Sequence, residues 1–260
     1  MIGVHHAFGD YQRLSRRLFA NAFKQRLALL GVSDAVRDDM RACLPGWSPE
    51  RIQTLYNRID IAAVQAGQVS RIDAREHLGL PQDAWVVGNV GRLHPDKDQA
   101  TLIRGFAQAL PQLPEGSLLV IMGSGRQEAA LKTLANELAV ADSVRFLGQV
   151  ADGRRYFKAF DTFALTSDHE PFGMVLLEAM AAGVPLIGSD CGGGREVVEG
   201  VGVLFPLGDI SALAAAMRHM AGLDAEQREL CALLMLQRLE AGFSDHAVRE
   251  AFWRLGLLGG

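Results

Sequence analysis

Two carboxylates eight residues apart, Glu170 and Glu178, stand in the segment DHEPFGMVLLEAMAAG, and their surroundings make them the first candidates for chemistry. Glu178 falls among apolar helix-forming neighbours, where an unpartnered ionised group would be very costly to bury. It must face a polar cleft or meet a partner, and a backbone group or an arginine is the structural alternative to a polar ligand. Glu170 is followed by Pro171 and Gly173, which suit a loop and the first turn of a helix better than its interior. Eight residues of helix span roughly 12 Å and about two and a quarter turns, so both acids can address one cleft, like the two ends of an elongated ligand. A glycosidase pair must flank a single bond at roughly 5 to 9.5 Å, which makes hydrolysis the weaker reading.

Other segments carry compatible chemistry. GRLHPDK at 91–97 contributes Arg92 and Lys97, cations suited to a diphosphate but without the Gly-Lys signature of a P-loop nucleotide hydrolase. A helix beginning near Phe172 offers backbone N–H groups and about half a positive charge to the same phosphates. IMGSG at 121–125 and the glycine run at 192–194, followed by Glu196, supply further turns. Cys43, Cys191 and Cys231 are odd in number and form no C-x-x-C pair, so neither a disulfide framework nor a zinc site is expected. Cys191, beside the glycine run, lacks the activating base that a nucleophile needs.

The elements that must position these residues are regular from residue 85 onward. Apolar strands are expected at 85–90, 118–122, 144–147, 162–165, 185–188 and 203–205, nearly all separated by helical stretches. Continuous apolar strands alternating with helices imply an α/β fold, a Rossmann-like parallel sheet with helices on both faces. Ligands in such sheets lie outside the carboxyl ends of the strands, where Arg92, Gly123, Gly148, Glu170 and Asp190 fall. Earlier in the chain, 26–33 reads as a short strand, 34–44 as a helix capped by Ser33 and stopped by Pro45, and 51–60 as a strand leaving a first domain. The stretch 61–70 reads as a loose hinge, after which Ser70 and Asp73 open a helix ending near Gly79.

At 260 residues and 49% hydrophobic, the chain can bury a substantial core. No apolar run reaches the roughly 18 residues of a membrane span and the start lacks a signal-peptide pattern, so a cytoplasmic location is expected. Residues 1–60 hold nine Lys or Arg against six Asp or Glu, while the remainder holds seventeen against twenty-four. Much of the early excess lies at 11–26, a basic amphipathic stretch with Leu14, Leu18, Phe19 and Phe23. It reads equally as a surface for an anionic membrane, on its inner face, or as a helix packed on its own sheet with a solvated basic side. Net charge −4 and the absence of a familiar motif argue against nucleic acid.

Taken in order, the segments at 91–97, 121–125, 170–178 and 192–196 resemble the retaining GT-B glycosyltransferases with an E-x7-E motif. That large group includes sucrose synthase and many bacterial lipopolysaccharide and mannosyl transferases. The resemblance implies a nucleoside-diphosphate sugar as donor substrate, with no separate cofactor and no metal, and a glycan or glycolipid acceptor such as an envelope glycolipid or lipopolysaccharide core. It implies that Arg92 and Lys97 meet the diphosphate, that Gly91, Gly123 and Ser124 belong to the donor-binding site, and that Glu178 binds the ribose and Glu170 the donor sugar. It also implies that Phe172, Gly173, Met174 and Val175 form the turn holding phosphate or sugar. His5 or His6 matches the family's histidine near the donor sugar; His6 is taken as the candidate, with a plain structural histidine as the equal alternative. Residues 1–62 are expected to be a remnant of an N-terminal acceptor domain, 63–242 a donor-binding domain and 243–260 a helix crossing back. The family's N-terminal domain is much longer, so a non-catalytic nucleotide-sugar-binding fragment is the alternative reading. Asp98 stands where the family usually has Gly, and Arg195 where it often has Pro.

Overall fold

The computed structural model describes residues 1–256. Two parallel sheets organise it. The smaller has the order β1–β2–β3, formed by Ile2–His5, Ala28–Gly31 and Ile52–Thr54. The larger contains β4 (Val86–Val90), β5 (Leu118–Met122), β6 (Val144–Gly148), β7 (Thr162–Leu165), β8 (Leu186–Ser189) and β9 (Val203–Phe205). Its order is β6–β5–β4–β7–β8–β9 and every pairing is parallel. Counted from β4 this is 3-2-1-4-5-6, the doubly wound arrangement whose direction reverses between β4 and β7. A crevice must open at the carboxyl ends of those two strands. Strands β5, β7 and β8 are buried throughout, as a parallel sheet covered on both faces requires.

Helices α1 (Leu14–Ala22) and α2 (Asp34–Cys43) accompany the first sheet, and α3 (Ile61–Gly67) and α4 (Arg71–Leu78) lead to the second. The second sheet is layered by α5 (Gln99–Ala109), α6 (Glu128–Glu137), α7 (Met174–Ala181), α8 (Gly192–Val198) and α9 (Ile210–Ala221). The chain then continues as α10 (Ala225–Gly242) and α11 (Asp245–Arg254). Caps follow local chemistry: the Ser33 hydroxyl accepts from Val36 N and the Ser70 hydroxyl from Asp73 N, while Gly79 closes α4 in the left-handed region.

Several expectations need correction. The stretch 61–70 is mostly helical: Asp60 caps Ala63 N at 2.9 Å, and the short apolar α3 packs against α7. The strand expected over 51–60 contains only Ile52–Thr54, because Ile59 turns away and pairs with Ser244, its N–H donating to the Phe243 carbonyl at 2.8 Å. The strand at 26–33 shortens to Ala28–Gly31, and the basic helix at 11–26 to Leu14–Ala22. The final helix is Asp245–Arg254, capped by Ser244, and the end of the segment expected up to residue 260 lies outside the described residues. Tyr56, Phe172 and Phe243 pack as three rings with centroids 5.4 to 6.0 Å apart, where the linker, the loop before α7 and the turn before α11 meet.

Candidate functional site

The reversal between β4 and β7 brings together the loops that follow them. The Thr166 hydroxyl donates to the carbonyls of Lys97 and Asp98, and Asp168 N–H donates to the Asp96 carbonyl at 3.0 Å. With the loops joined, Lys97 Nζ lies 2.7 Å from Glu170 Oε2, and the Ser167 hydroxyl donates to the same oxygen at 3.1 Å. Both charged side chains are largely buried, and each offsets the cost of burying the other. Asp98 has φ 43° and caps α5 through Thr101 N, which explains why Gly is favoured here and how Asp, comparatively tolerant of the left-handed region, serves instead.

A cavity of about 710 Å³ opens at the carboxyl ends of β4, β5 and β6. Its walls are Val90–Arg92, Met122–Ser124, the run from Gln149 to Arg154, and Glu178 on α7. The glycines are required by packing. A Cβ on Gly123, at φ 136°, would meet the Gly91 carbonyl oxygen at 1.9 Å. Arg92 is mostly exposed and reaches Asp96 at 3.6 Å. Glu178 is half-buried with no side-chain hydrogen bond or ion pair among the described residues. Burial pushes its carboxyl up, while the charge of Arg154 across the cavity pulls it down. The structural alternative, in which a backbone group or arginine satisfies Glu178, is therefore not realised by direct contact.

Helix α7 begins at Met174 rather than near Phe172. Gly173, at φ 92°, is its N-cap and no side chain caps its first turn. The backbone N–H groups there can receive an anion. Glycines 192–194 let α8 approach the Glu170 loop: Gly193 N–H donates to the Glu170 carbonyl at 2.8 Å, and a Cβ on Gly193 would lie 2.1 Å from the Pro171 carbonyl oxygen. Arg195 N–H donates to the Cys191 carbonyl, a bond that Pro could not make. The Cys191 thiol donates to the Ser167 and Asp168 carbonyls, and burial pushes it up, so it serves as a neutral strut of the loop.

Glu170 and Glu178 therefore do not share one wall. Glu178 lines the 710 Å³ cavity, whereas Glu170 sits among Asp168, His169 and Gly192, which line a second cavity of about 600 Å³ with Phe8, Gly9, Gln12, Ala35 and Asp39. His6 is exposed beyond β1 and is not among the residues lining either cavity; His5 is held between the Asp10 carboxylate and the Tyr11 hydroxyl. Three features escaped the sequence. Gln149–Arg154 was findable only as the continuation of β6, and His169 only as a neighbour of Glu170. The third is the pairing of Glu196, a residue visible after the glycine run: its carboxylate accepts from Asp34 N and Ala35 N, both at 2.8 Å, across 162 and 161 residues. Glu196 thereby joins α8 to the start of α2.

The strand order, the reversal-point loops and the cavity define a doubly wound, Rossmann-like α/β protein. Residues 70–231 match the family model described as "Glycosyl transferases group 1", and the chain belongs to that family. It is 34% identical over 181 residues to the lipopolysaccharide core biosynthesis glycosyltransferase LpsD of Rhizobium meliloti, covering 69% of this chain and 51% of that one. It is 37% identical over 213 residues to a D-inositol 3-phosphate glycosyltransferase of Stackebrandtia nassauensis, covering 77% and 46%. The chain thus spans about half the length of these curated relatives. Among solved structures it is similar to Anabaena HepE in complex with UDP and glucose, at TM-score 0.82 and 25% identity over 97% of this chain and 70% of that one.

Proposed function

We propose that the chain carries the donor-binding part of a retaining glycosyltransferase of the E-x7-E kind, acting from a nucleoside-diphosphate sugar onto an envelope glycolipid or lipopolysaccharide-core acceptor. The observation that carries this reading is the half-buried, unpartnered Glu178 in a 710 Å³ cavity that also holds Arg92, Gly123 and Ser124, beside the strand-order reversal. In this reading Glu178 accepts from the ribose hydroxyls and Glu170 orients the donor sugar. Arg92, Lys97 and the first turn of α7 meet the diphosphate, with Phe172, Gly173, Met174 and Val175 forming that turn. His6 is assigned to the donor-sugar side by resemblance alone, and the second cavity supplies room for an acceptor.

The transfer breaks the bond between the anomeric carbon and the diphosphate oxygen. A bond from the acceptor hydroxyl oxygen forms on the same face, and the hydroxyl proton passes to the departing phosphate. Negative charge grows on the leaving diphosphate, where Arg92, Lys97 and the helix dipole stabilise it. The similarity to HepE, described with UDP and glucose, supports a nucleotide sugar as donor. LpsD supports a lipopolysaccharide-core acceptor, which would hold the enzyme peripherally at the cytoplasmic face of an anionic membrane.

Calorimetric titration with UDP, GDP and ADP and their sugars tests the reading. Saturable binding to one base supports it, and no binding by folded protein overturns it. A second reading is a nucleotide-sugar-binding protein without turnover, since the residues gathered in the 710 Å³ cavity belong to the donor side alone. It is told apart by assaying glycolipid glycosylation with this chain and with a chain of the relatives' full length.

A further inference from the structure

The chain between α3 and α4 holds one wall of the 710 Å³ cavity from behind. Val69 N–H donates to the Arg155 carbonyl at 3.1 Å, and Arg155 Nε donates back to the Gly67 carbonyl at 3.1 Å. Between these two bonds the Gln68 side-chain amide donates to the Arg154 carbonyl at 2.7 Å, across 86 residues. A carbonyl oxygen can accept only from the amide nitrogen, so Gln68 Oε1 is turned the other way, where it is buried without a hydrogen-bond partner among the described residues. An empty buried acceptor is a cost that calls for a reason. Packing supplies none, since a methionine of similar shape would fill the space without that cost.

The bond from Gln68 fixes the backbone of the side chain whose charge acts on Glu178. The turn that carries Arg154 is tight: Gly153 N–H donates to the Val150 carbonyl at 3.2 Å, Arg155 N–H donates to the Asp152 carbonyl at 2.8 Å, and Asp152 has φ 49°. Arg92, Asp152 and Arg154 are the charged side chains that line the cavity with Glu178. Burial pushes the Glu178 carboxyl up, and Arg154 opposes that push. The neighbouring Arg155 is engaged with Gly67, and α3, packed against α7, carries no titratable side chain. The Arg154 side chain makes no hydrogen bond or ion pair among the described residues, so its direction is set through its main chain.

We infer that Gln68 is a positioning residue for this cavity: by holding the Arg154 main chain it keeps the guanidinium turned toward Glu178. That the cavity receives a nucleotide rests on the proposed function; the link from Gln68 through Arg154 to Glu178 does not.

The test uses Gln68→Met, which keeps the reach of the side chain, cannot donate, and removes the empty acceptor. The Glu178 carboxyl is followed by carbon-13 NMR over a pH series in the unliganded chain. In Gln68→Met it should titrate at higher pH than in the parent, as it should in Arg154→Gln, with native circular dichroism in both. Added to Arg154→Gln, Gln68→Met should shift the titration no further, because the charge it positions is already gone. An unchanged titration in Gln68→Met would overturn the inference. So would the same shift appearing again on the Arg154→Gln background, which would mean that Gln68 acts by another route. Should Gln68→Met lose the native fold, Gln68→Ala read in the same way decides. Nucleotide calorimetry on these samples at mildly acidic pH should show Gln68→Met binding roughly threefold to tenfold more weakly than the parent. A parent that binds no nucleotide would sink the donor reading alone, and the Glu178 titration would still decide this inference.

Discussion

Lys97 Nζ and Glu170 Oε2 meet at 2.7 Å across the seam where the strand order reverses, one from the loop after β4 and the other from the loop after β7. Removing only the cation leaves a largely buried carboxylate without its partner. Lys97→Met should destabilise the fold by about 3 kcal/mol in urea unfolding. Glu170→Gln, which keeps the shape, should cost clearly less while still reducing sugar transfer. Equal stability losses in the two variants would contradict this account of the pair.

Glu178→Gln should weaken nucleotide binding by about 1.5–3 kcal/mol in calorimetry, the cost of losing a charged acceptor to the ribose. Its effect on the unliganded fold should have the opposite sign. Burial raises the folded carboxyl above its ordinary value, so the carboxyl favours folding at low pH and loses that contribution as pH rises through the folded pKa. The Gln variant should therefore gain stability over the parent between acidic and neutral pH, read as the difference in thermal midpoint.

Arg154 faces Glu178 across the cavity and opposes the upward shift caused by burial. Arg154→Gln should raise the Glu178 pKa further, so that nucleotide affinity falls away at a higher pH on acidification. Calorimetry over a pH series reads this, and an unchanged profile would remove Arg154 from the electrostatics of Glu178.

Gly123→Ala puts a Cβ against the Gly91 carbonyl oxygen at a backbone angle that side chains rarely adopt. It should abolish measurable nucleotide binding and lower the melting temperature. Gly46→Ala shares the positive φ but has open space around it, and should lower stability alone.

Glu196→Ala removes the acceptor for Asp34 N and Ala35 N, which the Ser33 hydroxyl does not reach. About 1–3 kcal/mol of stability should be lost. Hydrogen exchange should show the loss concentrated in α2 and the first sheet.

The strands of the second sheet were legible because each is a short apolar run bounded by turn residues, and 118–122, 162–165 and 203–205 match the observed bounds. Helix α3 was not legible. IAAVQAG has no polar face to give it a helical period, and its conformation depends on Asp60 at its start and α7 against its side. The two glutamates were visible as a pair, but that Glu178 lines the 710 Å³ cavity while Glu170 does not depends on the loop that folds Glu170 under Lys97. Glu196 was visible as a residue after a glycine run. Its bond to α2 joins positions too far apart in the chain for any local pattern to connect.

The ring cluster of Tyr56, Phe172 and Phe243 ties three distant segments together. Phe172 is adjacent to Gly173, the cap of α7, while Tyr56 and Phe243 belong to the two strands of chain running between the sheets. A swivel of one sheet against the other must slide these rings or drag Phe172 along. The fulcrum of such a movement and the uncapped first turn of α7 are one object, so tilting the halves would shift that turn without any ligand bridging them.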